Sequence, residues 1–435
     1  MKRTCMAAKS GGLALVLLLC WHIQPASAQD AAQQPSYTIP EYNGFQACRA
    51  ETNPQAQVKC LDDFAAKFPK STLMKYVDQL YVGAYNTLKN YPKTIEYADK
   101  FVAESDAKAD GGGRLQSLYM RSLAFNLSYS ASTSQDDLKK ARDAAQAGLD
   151  ALNGLPKPAN MTDAQFDEQK KAPTALFNYT AGFASLYLKD YKAAETSFKA
   201  ALAANPQDGV TYFRLGVAYL SDNPAQSMDG FWALARAIGL KAQGSDQIKD
   251  YLRKRLIVYQ QSGCDNLIDP QMNELLQLAA SSADRPATYN IPSSADLDKV
   301  RASSNILSVL TDLKGGGDKA KLTWLAICGS EFPEVVGKVI EVTPGTDTVE
   351  LHVFTGATPE EMEAATTANM DVKVVGQPEA SRLQKDDGAR FSGTLAGYDP
   401  EPFMLHWDKA KVNPEDIPAE KGGQRKPHKV APKSQ

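Results

Sequence analysis

Along this chain the spacing of apolar positions changes once. Up to a Pro- and Ser-containing stretch near residues 283–296 they recur with the spacing of amphipathic helices; from residue 334 onward they alternate with polar positions, as strands do. The helical part carries an internal echo at a shift of 34 residues, in which Gly182 and Gly216, Phe198 and Trp232, and Ala201 and Ala235 occupy equivalent places. A fixed period of that length marks a repeated supersecondary unit, here two antiparallel helices. Small residues at Gly182 and Ala194 let the helices of one hairpin approach closely, while Phe198 and Trp232 are expected to fill the space between successive hairpins. Counted from the small residue of each second helix, Cys60, Thr94, Ala141, Ala194 and Met228 mark five hairpins, with Met228 departing from the small-residue rule. An insertion around residues 153–172, rich in Pro, Lys and Asp, reads as an exposed loop. Two further amphipathic segments, GSDQIKDYLRKRLIVYQQ and DPQMNELLQLAASS, are expected to cap the stack.

The run ALFNYTAGFASLYLKDYKAAETSFKAALAANP, with Gly182, Ala194, Phe198, Ala201 and Pro206 at the required spacing, resembles the tetratricopeptide repeat (TPR) family. The next unit, VTYFRLGVAYLSDNPAQSMDGFWALARAIGL, keeps Tyr212, Leu215, Gly216, Tyr219 and Ala235 but lacks the closing proline. The resemblance implies an α-solenoid whose first helices line a concave groove, with Tyr179, Phe183, Tyr187, Phe213 and Val217 facing it. Such a groove is aromatic and apolar and lacks the Lys/Arg/Asn set that clamps a C-terminal carboxylate, so the expected partner is an extended or helical apolar peptide of another protein. The chain's own residues Gln29 to Pro40 are the alternative cover for these aromatics.

In the C-terminal third, candidate strands are Glu334 to Val342, Thr348 to Phe354, Met370 to Val375, Ala389 to Ala396 and Pro402 to Trp407, preceded by one helical run containing LTWLAI. Five short strands predict a small barrel or sandwich. The pattern VVGKVIEVTPGTDTVELHVF, MDVKVV and DDGARFSGTLAGYDPEPFMLHWDKAKV, through Gly337, Gly388, Gly393 and the Pro402-Phe403 step, resembles OB-fold domains related to anticodon-binding modules. The expected fold class is therefore multidomain α plus β, an N-terminal α-solenoid of TPR-like hairpins followed by a small five-stranded OB-like β-barrel. Its expected parts are a signal peptide at 1–28, an extended segment at 29–40, the repeat domain at 41–282, a linker with a helix at 283–318, the barrel domain at 319–413 and a basic disordered tail at 414–435.

The two ends bear on compartment. Lys2, Arg3 and Lys9 precede an uncharged run from Leu13 to Cys20, then Pro25 and Ala26-Ser27-Ala28, the pattern of a cleaved secretory signal. A lipid anchor on Cys20 is disfavoured by Leu19, since that chemistry wants a small residue there. No later run approaches the length of a membrane-spanning helix, so an exported, periplasmic or extracellular chain without a transmembrane segment is expected. Loss of residues 1–28 leaves 45 basic against 51 acidic residues, a net charge of −6, which disfavours a nucleic-acid partner. Only the tail, with Lys421, Arg425, Lys426, Lys429 and Lys433, offers electrostatic contact to an acidic envelope surface.

Four cysteines remain after the signal, and in an exported chain pairing is favoured over metal binding or catalysis. Cys48 and Cys60 are 12 apart, like Gly182 and Ala194, so both fall where the helices of a hairpin touch and a disulfide is expected. Cys264 and Cys328 are the remaining pair, with no spacing argument to join them.

Catalytic chemistry is scarce. His352, His406 and His428 are the histidines of the mature chain, and the two in predicted strands approach one another if a barrel forms. There is no H-E-x-x-H, no G-x-S-x-G and no phosphate-loop lysine motif; Gly111-Gly112-Gly113 and Gly315-Gly316-Gly317 read as breaks between helices. The sequons at Asn126, Asn160 and Asn178 are assigned no role. The expectation is a non-enzymatic chain without metal or cofactor that acts as an exported scaffold in cell-envelope assembly or maintenance. Its alternatives are a structural envelope protein whose OB-like domain binds a cell-wall or other polymeric ligand, and an enzyme built on scattered carboxylates.

Overall fold

Most helices of the first half open on a side chain able to take up a free backbone N–H. Thr38, Asn53, Asn90, Ser134, Thr162 and Asp190 each accept from the backbone N–H three residues further on. The computed structural model describes residues 36–419; the signal segment, the start of the 29–40 stretch and the tail beyond residue 419 lie outside the described residues. The chain divides into two compact units, Met1–Pro206 and Gln207–Gln435.

In the first unit α1 (Ile39–Ala50), α2 (Pro54–Lys67), α3 (Met74–Thr87), α4 (Tyr91–Glu104), α5 (Gly111–Ser128), α6 (Gln135–Asn153), α7 (Asp163–Tyr187) and α8 (Tyr191–Ala204) form four antiparallel hairpins. The turn between α3 and α4 and that between α7 and α8 share one device. Lys89 and Lys189 adopt the left-handed region, with φ of 56° and 63°, and the following Asn90 and Asp190 cap the next helix. Cys60, Thr94, Ala141 and Ala194 all lie on second helices, three of them fully buried.

Close approach is achieved differently from the sequence expectation. A Cβ on Gly182 would stand 2.8 Å from the Phe198 ring, so Phe198 fills space inside its own hairpin rather than between hairpins. Between hairpins that space is taken by Phe177 of α7, since a Cβ on Gly148 of α6 would meet its ring at 2.3 Å. The Gly111 triplet is no break: it forms the first turn of α5, where a Cβ on Gly113 would lie 2.7 Å from Gln79 and 3.1 Å from Phe101. Asp110, just before it, joins hairpins by accepting from Lys75 Nζ (2.8 Å) and Tyr76 Oη (3.1 Å). Burial would raise its carboxyl, but these donors and the Asp106 N–H outweigh that and hold it low. The second half of the 153–172 insertion is helical too, from Asp163 on. Thr162 and Gln165 close a capping box that starts α7 early and carries Pro173 inside the helix.

The second unit begins with the fifth hairpin, α9 (Gly209–Ser221) and α10 (Ser227–Gly239), followed by α11 (Ser245–Gln260) and α12 (Ile268–Ser281). Met228 is not the contact that closes the fifth hairpin. A Cβ on Gly216 would lie 3.1 Å from Gly230 O, and one on Gly230 would lie 3.3 Å from Gly216 O, so two glycines bring the backbones together. The linker is docked rather than loose: Trp232 Nε1 donates to Ala283 O (3.0 Å), Arg285 pairs with Asp229 (3.1 Å), and Tyr289 packs on Trp232 at 6.0 Å. Three helices, α13 (Ser294–Ser303), α14 (Ile306–Gly315) and α15 (Gly317–Ile327), replace the expected single one; the second Gly triplet separates the last two.

The barrel follows, with β1 (Glu331–Pro344), β2 (Thr348–Phe354), β3 (Met370–Val375), β4 (Gly388–Pro400) and β5 (Phe403–Val412), and with the short α16 (Pro359–Ala364) between β2 and β3. It is closed in the order β1-β2-β3-β5-β4. Inward positions alternate along each strand, among them Val339, Leu351, Val353, Val372, Phe391 and Trp407. Gly337 is required by this packing, because a Cβ there would stand 2.2 Å from the Val353 side chain. The first residues of the expected tail belong to the barrel: Asp416, 3% exposed, accepts from the Arg390 N–H and guanidinium, each at 2.8 Å.

Candidate protein-interaction surface

The five residues expected to line a groove fall in both units. Tyr179, Phe183 and Tyr187 follow one another at four-residue spacing on α7, in the first unit, so they share one helix face. The Phe183 ring is 4% exposed and sits among four others: Tyr129 at 4.8 Å, Tyr187 at 4.9 Å, Tyr179 at 5.8 Å and Phe125 at 6.3 Å. Phe183 is thus the floor of an aromatic cluster whose half-buried members are Tyr129, Tyr179 and Tyr187. Phe213 and Val217, in the second unit, share a face of α9, are half-buried, and have the Arg214 guanidinium 5.3 Å from the Phe213 ring.

The sequence reading missed Phe125 and Tyr129, on and just past the end of α5. Their four-residue spacing was the available signal, but the third hairpin has too weak a motif to show which face they take. It also missed a second aromatic group where α3 meets α4, in which Tyr97 stacks on Tyr81 (4.3 Å) and Tyr85 (5.5 Å). Tyr81 Oη donates to Asp62 (2.6 Å), and burial together with that carboxylate pushes its ionisation upward. Below it on α3, Asp78 is 8% exposed; burial, then the nearby Glu104 carboxylate, raise its pKa to about 6 against the pull of Lys100.

Both expected cysteine pairs stand at disulfide distance, Cys48 and Cys60 with Cα atoms 5.3 Å apart and Cys264 and Cys328 at 5.8 Å. Among the described residues no helix is long and apolar enough to cross a membrane. The strand register brings His352 and His406 to one carboxylate, since Asp371 lies between them across β2, β3 and β5. His352 Nδ1 is 2.7 Å and His406 Nδ1 3.3 Å from Asp371, and His406 Nε2 is 3.0 Å from Asp399. This row orients both imidazoles on the outer barrel face. Among the described residues no group of three or more His, Cys, Asp or Glu is arranged to hold a metal ion.

No protein-family model matches the chain, and no curated protein matches it. Among solved structures, the chain is similar to "MamA RS-1 ArsTM double mutant", at 19% identity over 47% of this chain and 98% of that chain, with a TM-score of 0.31. An overlap that low supports no inference about fold or activity. The class is therefore defined by the molecule itself: an array of helical hairpins followed by a closed five-stranded barrel, α plus β.

Proposed function

We propose that this chain is an exported, non-enzymatic scaffold of the TPR type, which binds an apolar segment of another protein through the aromatic faces of its first helices and serves cell-envelope assembly or maintenance. The observation that carries the reading is the aromatic row on α7, where Tyr179 and Tyr187 flank a buried Phe183 at helical spacing. Rigid, half-buried tyrosines supply contact area with little rotamer entropy to lose, which is what a peptide-binding face requires. The two cysteine pairs fit an oxidising compartment, in keeping with the signal-like N-terminus.

The test is crosslinking and affinity purification of the tagged full chain from its native envelope, followed by affinity measurement with the partner identified. Tyr179→Ala and Tyr187→Ala, both on the aromatic face of α7, are expected to weaken that affinity about tenfold or more each, as loss of an aromatic anchor does. Phe183→Ala is the wrong probe, since truncating a buried ring costs about 3–5 kcal/mol of stability. Capture of the same partners, with unchanged affinity, by both variants removes the groove reading.

A further inference from the structure

Cys264 and Cys328 are 64 residues apart in sequence, and the turn that carries the first lies directly on the helix end that carries the second. Ser262 Oγ donates to Leu325 O (2.9 Å), and Arg301 of α13 donates to Ala326 O (2.6 Å) and to Gln261 O (3.4 Å). Backbone rests on backbone here: a Cβ on Gly263 would stand 2.3 Å from Cys328 O, and one on Gly329, at φ +76°, would stand 3.0 Å from Gly263 O. The next residues enter the barrel, for Gly329 N–H donates to Leu395 O (2.9 Å) and Leu395 N–H to Ser330 O (3.0 Å). Leu267, in the short turn between α11 and α12, packs against the core that α13, α14, α15 and the barrel share.

We propose that Cys264–Cys328 is a latch, opened by dithiol reductants, that fixes the barrel to α11 and α12. Cys264 is half-buried while Cys328 is 2% exposed, so an incoming thiolate reaches Cys264 Sγ. The Sγ–Sγ bond breaks, its electron pair leaves on Cys328 Sγ, and that sulfur takes a proton. The reductant's second thiol then attacks the mixed disulfide, leaving a Cys264 thiol and an oxidised reductant. With the latch closed, barrel and helices move as one body. With it open, the main chain through residues 282–293 is the covalent connection, and the polar contacts of the turn, Leu267 and the contact of α11 with α13 are what resist separation.

Hydrogen exchange of the full chain tests this, comparing the native protein with Cys264→Ser/Cys328→Ser, which keeps Cys48–Cys60. Amides of residues 262–267 and 325–330 are expected to exchange about tenfold faster or more in the variant, with those of β2 and β3 unchanged. Unchanged protection at 262–267 and 325–330 overturns the latch. Equal loss in β2 and β3 also overturns it, because the bond would then be a staple of the barrel fold. In the native chain, dithiothreitol followed by alkylation is expected to label Cys264 and Cys328 while helical circular dichroism persists; labelling that requires denaturant refutes reductant control.

Discussion

Asp78 is the residue whose environment has the clearest thermodynamic consequence. Its carboxyl titrates near pH 6 in the folded chain and near its ordinary 3.8 when unfolded. Between those values the native state holds a proton that the unfolded state has released, so this group's contribution to stability falls as pH rises through the window and is level above it. Asp78→Asn removes the charge, and denaturant titrations are expected to show a gain on the order of 1–2 kcal/mol at pH 7.5 that vanishes below pH 4. Two glycines make a matched pair at the same scale. Gly83 of α3 has open space where a methyl would stand, so Gly83→Ala is expected to stabilise by about 0.5–1 kcal/mol through helix propensity. Gly148→Ala places its methyl against the buried Phe177 ring and is expected to lose about 1–2 kcal/mol net, since overpacking outweighs propensity. Thermal unfolding of the two variants checks the opposite signs.

At the scale of elements, the first hairpin is held by a covalent cross-link at the position where later hairpins rely on small residues. Cys48→Ser/Cys60→Ser is expected to cost about 3 kcal/mol, read as a lower denaturation midpoint and early exchange of α1 amides. The hairpins were legible in the sequence because the helical period and the 34-residue echo pointed to the same units, counted from Cys60, Thr94, Ala141, Ala194 and Met228. β2 and β3 were legible to the residue, β3 because its alternating run is bounded by Asn369 and Gly376 and β2 because its run sits between the turn residues 344–347 and Thr355-Gly356. What escaped was tertiary. The α7 extension looked like a loop because its first two turns are mostly polar, with Phe166 as their one large apolar residue, and only its capping box says helix. Met228 hid the true contact at Gly230, two residues on, because the echo fixes a place in the repeat and not which neighbour comes closest. Of the candidate surface, the residues were named but their depth was not: spacing puts Phe183 on the face, while its burial comes from Phe125 and Tyr129 of another hairpin.

For the whole molecule, the aromatic faces and the barrel belong to a chain in which stretches that look like spacers carry contacts. The scaffold reading therefore predicts that partner binding depends on the helical hairpins' own stability, not on linker length. The docked linker bears on how the chain can be divided. A truncation at Ser282, the obvious cut from sequence, would strip Arg285, Tyr289 and Ile291 from α10 and leave the Trp232 indole and Met228 facing water. Light scattering of that fragment is expected to show self-association that a fragment ending after Ile291 avoids, because the removed strip is the cover over an apolar patch. Loop-like composition at residues 283–291 thus conceals a seal, and evolution is free to lengthen this chain elsewhere more easily than there.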